Sequence, residues 1–167
     1  MIKSMLYTAT VLALVISCES AKHSDPLDKA QTVNDITKML SDYHTDTNKE
    51  GLTAEFKYLD RSSDFFWVPP GYTSTLKYDS IRNILEKNAK AFRAVEFRWK
   101  TLEIFPLSEE IATYSGIVNG RMTDTAGIES KVSIIESGTL IKRGDGWKLL
   151  SGQSAVINPP SENKSSE

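Results

Sequence analysis

From Val95 to Ile157 the chain alternates long runs of β-formers with short clusters of turn residues, and nothing else restricts its fold as tightly. Val95 to Phe105 is rich in β-branched and aromatic side chains, and Pro106 to Glu110 makes a turn. Ile111 to Met122 reads as a second strand, with a turn at Asp124-Thr125-Ala126-Gly127. Ile128 to Lys142 is a third, and Gly144-Asp145-Gly146 is a tight hairpin signal before a fourth, Trp147 to Ile157. Hairpins join antiparallel neighbours, so the four form an antiparallel meander. Each run has ten or more residues, against about five or six in a typical strand. Strands this long curl, and Gly116, Gly120 and Gly138 are the expected bulge or bend points. Gly146 is expected to take a positive φ, and Trp147 to pin the last hairpin by packing on a neighbouring strand.

Ahead of the strands the apolar period changes to three and four. Leu27, Ala30, Val33, Ile36, Leu40 and Tyr43 share one helical face, with Asp25 as cap and Pro26 in the first turn. Thr45 to Gly51 breaks the pattern, so the helix is expected to end near Tyr43. Leu52, Phe56 and Leu59 give a short second helix, and Asp64 to Val68 a short strand stopped by Pro69-Pro70-Gly71. A third helix is expected from Asp79, its cap, to Phe92. Helices followed by a curled antiparallel sheet make an α+β fold: three N-terminal helices packed across the concave face of the sheet, leaving a cone.

The first residues carry a different message. Lys3 supplies a positive start, and Met5 to Ile16 is apolar but too short to span a bilayer. Ser17 and Cys18 follow, and this layout resembles the signal and lipobox of bacterial lipoproteins. The resemblance implies cleavage before Cys18, acylation of its thiol (palmitate among the usual chains) and a protein tethered to a membrane of the bacterial cell envelope. Two or three acyl chains hold a protein to a bilayer essentially permanently, where one does not. Cys18 is the only cysteine, so no disulfide is possible and a core must hold the domain. The expected organisation is a signal at 1–17, a polar spacer at 18–25, one domain at 26–157 and a disordered tail at 158–167. The formal charge of −2 becomes −3 without Lys3, which argues against a nucleic-acid partner.

The order of elements resembles the nuclear transport factor 2-like superfamily, in its SnoaL-like, ketosteroid-isomerase-like branch. The residues that carry the resemblance are Phe65-Phe66-Trp67-Val68 before a Pro-Gly turn, Asp79-Ser80-Ile81, the run Trp99 to Ile104, and Asp145-Gly146-Trp147-Lys148-Leu149. In that superfamily the cone interior is the binding site. The resemblance implies that Trp67, Trp99, Tyr114 and Gln153 line it, with Tyr43 reaching in from the first helix. Aromatic residues also fill cores, and for Trp99 and Tyr43 that reading weighs more.

Two departures bear on activity. Isomerases of the superfamily carry a carboxylate base on the strand after the second helix, where this chain has Phe66-Trp67, with Asp64 only at the strand's start. Many SnoaL-like relatives carry a histidine near the end of the last strand, where this chain has Gln153, which cannot exchange a proton near neutral pH. Both departures favour recognition of a small apolar ligand, or of a protein partner, over catalysis. The alternative is an isomerase, dehydratase or hydrolase with Asp64, Glu103 or Glu136 as base and Tyr43 or Tyr114 as donor. Charged mid-strand residues sit more often on the solvated face, which weighs against Glu103 and Glu136. His23 falls in the spacer, and His44 at the expected end of the first helix, where a cation favours the helix dipole. With these two histidines and Cys18 no metal site is legible, and no cofactor is expected. Val118, Ile134 and Ile141 are candidates for a homodimer contact on the outer face of the sheet.

Overall fold

A computed structural model describes residues 28–157. The signal at 1–17, the lipid attachment at Cys18, the spacer at 18–25, the helix start at Asp25-Pro26 and the tail at 158–167 lie outside the described residues. Within them the elements are α1 (Lys29–Glu50), a 3-10 helix (Leu52–Lys57), β1 (Phe66–Val68), α2 (Tyr78–Ala89), β2 (Phe92–Pro106), β3 (Ile111–Asp124), β4 (Glu129–Arg143) and β5 (Gly146–Val156). One curved sheet has the order β1-β5-β4-β3-β2. The last four strands form the expected antiparallel meander, and β1 joins its far edge in parallel with β5.

The helical part departs from expectation in three places, one of them α2, which ends at Ala89 so that Phe92 opens β2 instead of closing the helix. α1 runs seven residues past Tyr43, to Glu50. The Thr45 and Thr47 hydroxyls donate to the carbonyls of Ser41 and Tyr43 one turn back, which satisfies them inside the helix without driving it. Asn48 then meets the edge of β2: its amide donates to the Phe97 carbonyl at 3.0 Å and accepts from the Phe97 N–H at 2.6 Å. Gly51, at φ 89°, ends the helix. The expected second helix is a single 3-10 stretch, so the described residues hold two α-helices rather than three. At the described start Asp28 accepts from the Gln31 N–H at 2.9 Å, and α2 is preceded by Lys77, with Asp79 inside its first turn.

Ile36 and Leu40 of α1, Phe65, and Leu140 and Leu149 of the sheet are fully buried in one core cluster that also takes in Ala112 and Trp147. Trp147 is buried beside the last hairpin, as expected, and Gly146 has φ 110°. The strand bends fall next to the glycines rather than on them. β2 carries an extra residue at Lys100, opposite Ile117 and Val118 and one step from Gly116, and β5 carries one at Leu150, opposite Thr139 and Leu140 beside Gly138. The glycines make room for rings: a Cβ on Gly116 would stand 2.7 Å from the Trp99 indole, and one on Gly152 would stand 2.5 Å from that of Trp67.

Candidate functional site

Between the helices and the sheet lies a cavity of about 180 Å³. Trp67, Leu149 and Val118 form its sheet-side wall, Ile81 and Leu85 of α2 face them, and Pro69, Pro70 and the exposed Asn88 mark the mouth. Its polar groups are few: Tyr43, His44, Glu55, Glu136, Ser154 and Asn88. A larger, open depression of about 1220 Å³ lies over the sheet near Arg98, Arg121 and Lys131, but these charged groups are solvated and poorly placed for proton chemistry.

Glu136 is brought inward by the alternation of β4, in which Ile134 and Glu136 line the cavity while Ile135 between them is exposed. The buried Tyr114 hydroxyl donates to Glu136 Oε1 at 2.6 Å. Burial pushes the Glu136 carboxyl up to about 7, and the Tyr114 bond offsets part of that rise. Glu55 enters from the 3-10 helix. Burial lifts its carboxyl to about 8, the Tyr43 hydroxyl nearby opposes the rise, and the charge of Glu136 adds to it. The tyrosines respond in kind: burial first, then the neighbouring carboxylates, hold the hydroxyls of Tyr43 and Tyr114 in their protonated form well above the usual range. Near neutral pH the cavity therefore contains two glutamates whose carboxyls are both raised, each faced by a tyrosine O–H, inside apolar walls.

His44 is buried, with Nδ1 unpartnered, and its ring stacks on Trp99 at 4.9 Å between centroids. Burial pulls its imidazole down to about 4, so it is neutral. The cation expected at a helix end is absent because α1 continues past it and its ring faces inward. Among the described residues no group of three His, Cys, Asp or Glu side chains is arranged to hold a metal ion, and no helix is long and apolar enough to cross a membrane.

The five candidate lining residues divide. Tyr43 and Trp67 line the cavity, and Trp67 Nε1 donates to Ser154 Oγ at 3.2 Å. Tyr114 stands behind the wall and acts on it through Glu136. Trp99 packs edge-on against Tyr114, and its Nε1 points to the Leu40 carbonyl at 3.4 Å, so it is wall rather than lining. Gln153 is a correction: it is exposed, because the extra residue at Leu150 reverses the alternation and turns Ser154 inward instead. The extra residue at Lys100 likewise leaves Glu103 exposed, and Asp64 is exposed before β1. Val118 and Ile134 line the cavity rather than the outer face; Ile141, which pairs with Ile111 across the sheet, does not.

Glu55 escaped the reading of the sequence and His44 entered it only as a cation at a helix end, yet spacing could have placed both inside. Glu55 lies three residues after Leu52 and four before Leu59, and His44 lies four and eight after Leu40 and Ile36.

No family model and no curated protein matches the sequence. Solved structures do. An NTF2-like superfamily protein from Salmonella enterica superposes with a TM-score of 0.67 at 13% identity, over 82% of this chain and 99% of that one. A ketosteroid isomerase-like protein from Erwinia carotovora atroseptica gives 0.62 at 18% identity, over 77% and 98%. A hexachlorocyclohexane dehydrochlorinase, LinA type 2, gives 0.62 at 14%, over 80% and 97%. At these identities the likeness is one of architecture, and the described residues have the nuclear transport factor 2-like fold.

Proposed function

We propose that the cavity performs general acid–base catalysis on a small, uncharged and largely apolar molecule, moving a proton between neighbouring carbons or driving an elimination across them. The observation that carries this reading is the pair Glu55 and Glu136, both raised toward neutral pH by burial and each faced by a tyrosine. Glu136, whose carboxylate form is supported by the Tyr114 hydroxyl at 2.6 Å, is the base once ionised. Glu55, in its protonated form, and Tyr43 offer O–H donors to the oxygen or leaving group on which charge develops. The departures noted in the sequence, Trp67 in place of a carboxylate and Gln153 in place of a histidine, do not remove this pair, because it comes from other elements. Carbon-detected NMR of glutamate side chains tests the reading. Two of them should titrate well above the reference near 4.3. If all titrate normally, the proposal is lost.

Binding without turnover is the second reading. It is favoured by the Tyr114 bond, which occupies one oxygen of Glu136. Mass spectrometry of whatever co-purifies from the native host separates the two: an unchanged ligand held equally by wild type and Glu136→Gln supports binding alone.

We further propose that the chain is exported through the signal at 1–17 and held in the bacterial cell envelope by lipid on Cys18, as the sequence in that region suggests. Metabolic labelling with a fatty acid should be lost in Cys18→Ser.

A further inference from the structure

The end of the sheet where α1 begins carries two large exposed apolar residues close together in sequence. Phe105, at the end of β2, is 60% exposed, and Leu107, in the β2–β3 turn, is 56% exposed. Lys29, the first residue of α1, lies with its Nζ 5.5 Å from the centre of the Phe105 ring. The chain therefore enters the domain against this turn. Ten residues separate Cys18 from Asp28, a leash of at most about 35 Å when fully extended. That is comparable with the diameter of a domain of this size, so a leash alone leaves the domain free to roll. The opposite end has one large exposed apolar residue in its turn, Ile128. The cavity mouth at Asn88 belongs there: three residues further on, the Ala91 carbonyl accepts from the Thr125 N–H at 3.2 Å in the β3–β4 turn, at the end of the sheet away from Phe105.

We propose that Phe105 and Leu107 seat in the interface of the bilayer to which Cys18 tethers the chain, so that the domain stands on its β2–β3 turn with the cavity mouth turned to water. This rests on the lipid-anchor reading above. The partner is committed by three features together: where the leash joins, two large apolar side chains at that point, and the local charge. Exposed Lys29 and Lys142 stand there with Asp28, Glu109 and Glu110, with no excess of positive charge, which suits a zwitterionic headgroup layer rather than an acidic one. Two apolar side chains give weak interfacial binding on their own, and a tether raises their effective concentration enough to hold the orientation.

The test uses the full lipidated chain in vesicles of phosphatidylcholine and phosphatidylethanolamine that carry a nitroxide lipid. With Cys18 acylated, a cysteine placed by Glu109→Cys is the only free thiol and takes a fluorescent label beside the turn. Thr125→Cys places the same label at the far end. The Glu109→Cys label should be quenched several-fold more strongly than the Thr125→Cys label, and the difference should vanish when Phe105→Gln and Leu107→Gln are added. Both are surface changes, so the fold survives. Equal quenching at the two ends, with the protein still membrane-bound, overturns the seating and leaves the anchor intact. Efficient self-crosslinking of Glu109→Cys in detergent also overturns it, since a second copy would then cover the turn. A Cys18→Ser chain without residues 1–17 that stays on the vesicles sinks the anchor reading, and the comparison of the two labels still judges the seating.

Discussion

At the scale of single residues, the chemistry of this protein depends on three side chains whose charge is suppressed by burial. Glu55 and Glu136 are raised from 4.5 to about 8 and about 7. A carboxyl raised on folding stabilises the fold below its unfolded value and loses that contribution as pH climbs through its folded one. The melting temperature should therefore fall between about pH 4.5 and 8 on account of this pair, and Glu55→Gln should flatten the fall, with a gain on the order of 3 kcal/mol at pH 9. Circular dichroism melts across pH read it directly. His44 acts from the other side. Its folded value of about 4 lies below the ordinary 6.5, so stability is kept above pH 6.5 and lost as pH falls toward 4, by roughly 3 kcal/mol at most. His44→Phe keeps a ring against Trp99 and should remove that acid limb from the same melts. If His44→Phe leaves the acid limb unchanged, the imidazole is not the group responsible.

At the scale of elements, the long strands were legible because β-formers, turns and length agreed; the observed strand boundaries lie within about three residues of those expected. α1 was read seven residues short because Thr45, Asp46 and Asn48 look like a break, and only the contact of Asn48 with β2 shows why the helix continues. The extra residues at Lys100 and Leu150 left no trace in the sequence, since either could sit in a regular strand. These two positions decide that Glu103 and Gln153 face out and Ser154 faces in, so the site was less legible than the fold. Two predictions belong here. Asn48→Ala removes a pair of hydrogen bonds to the edge of β2 and should cost about 1–2 kcal/mol in denaturant unfolding. Gly152→Ala would drive a methyl group into the Trp67 indole, and should cost about 1–3 kcal/mol while shifting the tryptophan fluorescence. The Ser137 carbonyl of β4 stands equally close to that methyl group, so a neutral outcome would mean that β5 can shift against both β4 and β1.

At the scale of the whole molecule, the cone is plugged at one end by Leu140, Leu149 and Ala112 and opens at the other beside α2. Access therefore depends on residues that take no part in the chemistry. Asn88→Trp should block the mouth, abolishing uptake of a small apolar fluorophore into the cavity while leaving the melting temperature and the two raised carboxyls in place. Uptake that persists would place the mouth elsewhere. The surplus residue in β5 has a wider bearing. Upstream of it one alternation of side chains looks inward, and downstream the complementary one does. Moving that surplus position from Leu150 to beyond Ser154 would restore a glutamine to the interior and retire a serine, with no change of sequence in the lining itself. The place of one surplus residue in one ladder thus decides which of two sets of side chains this architecture turns toward its interior.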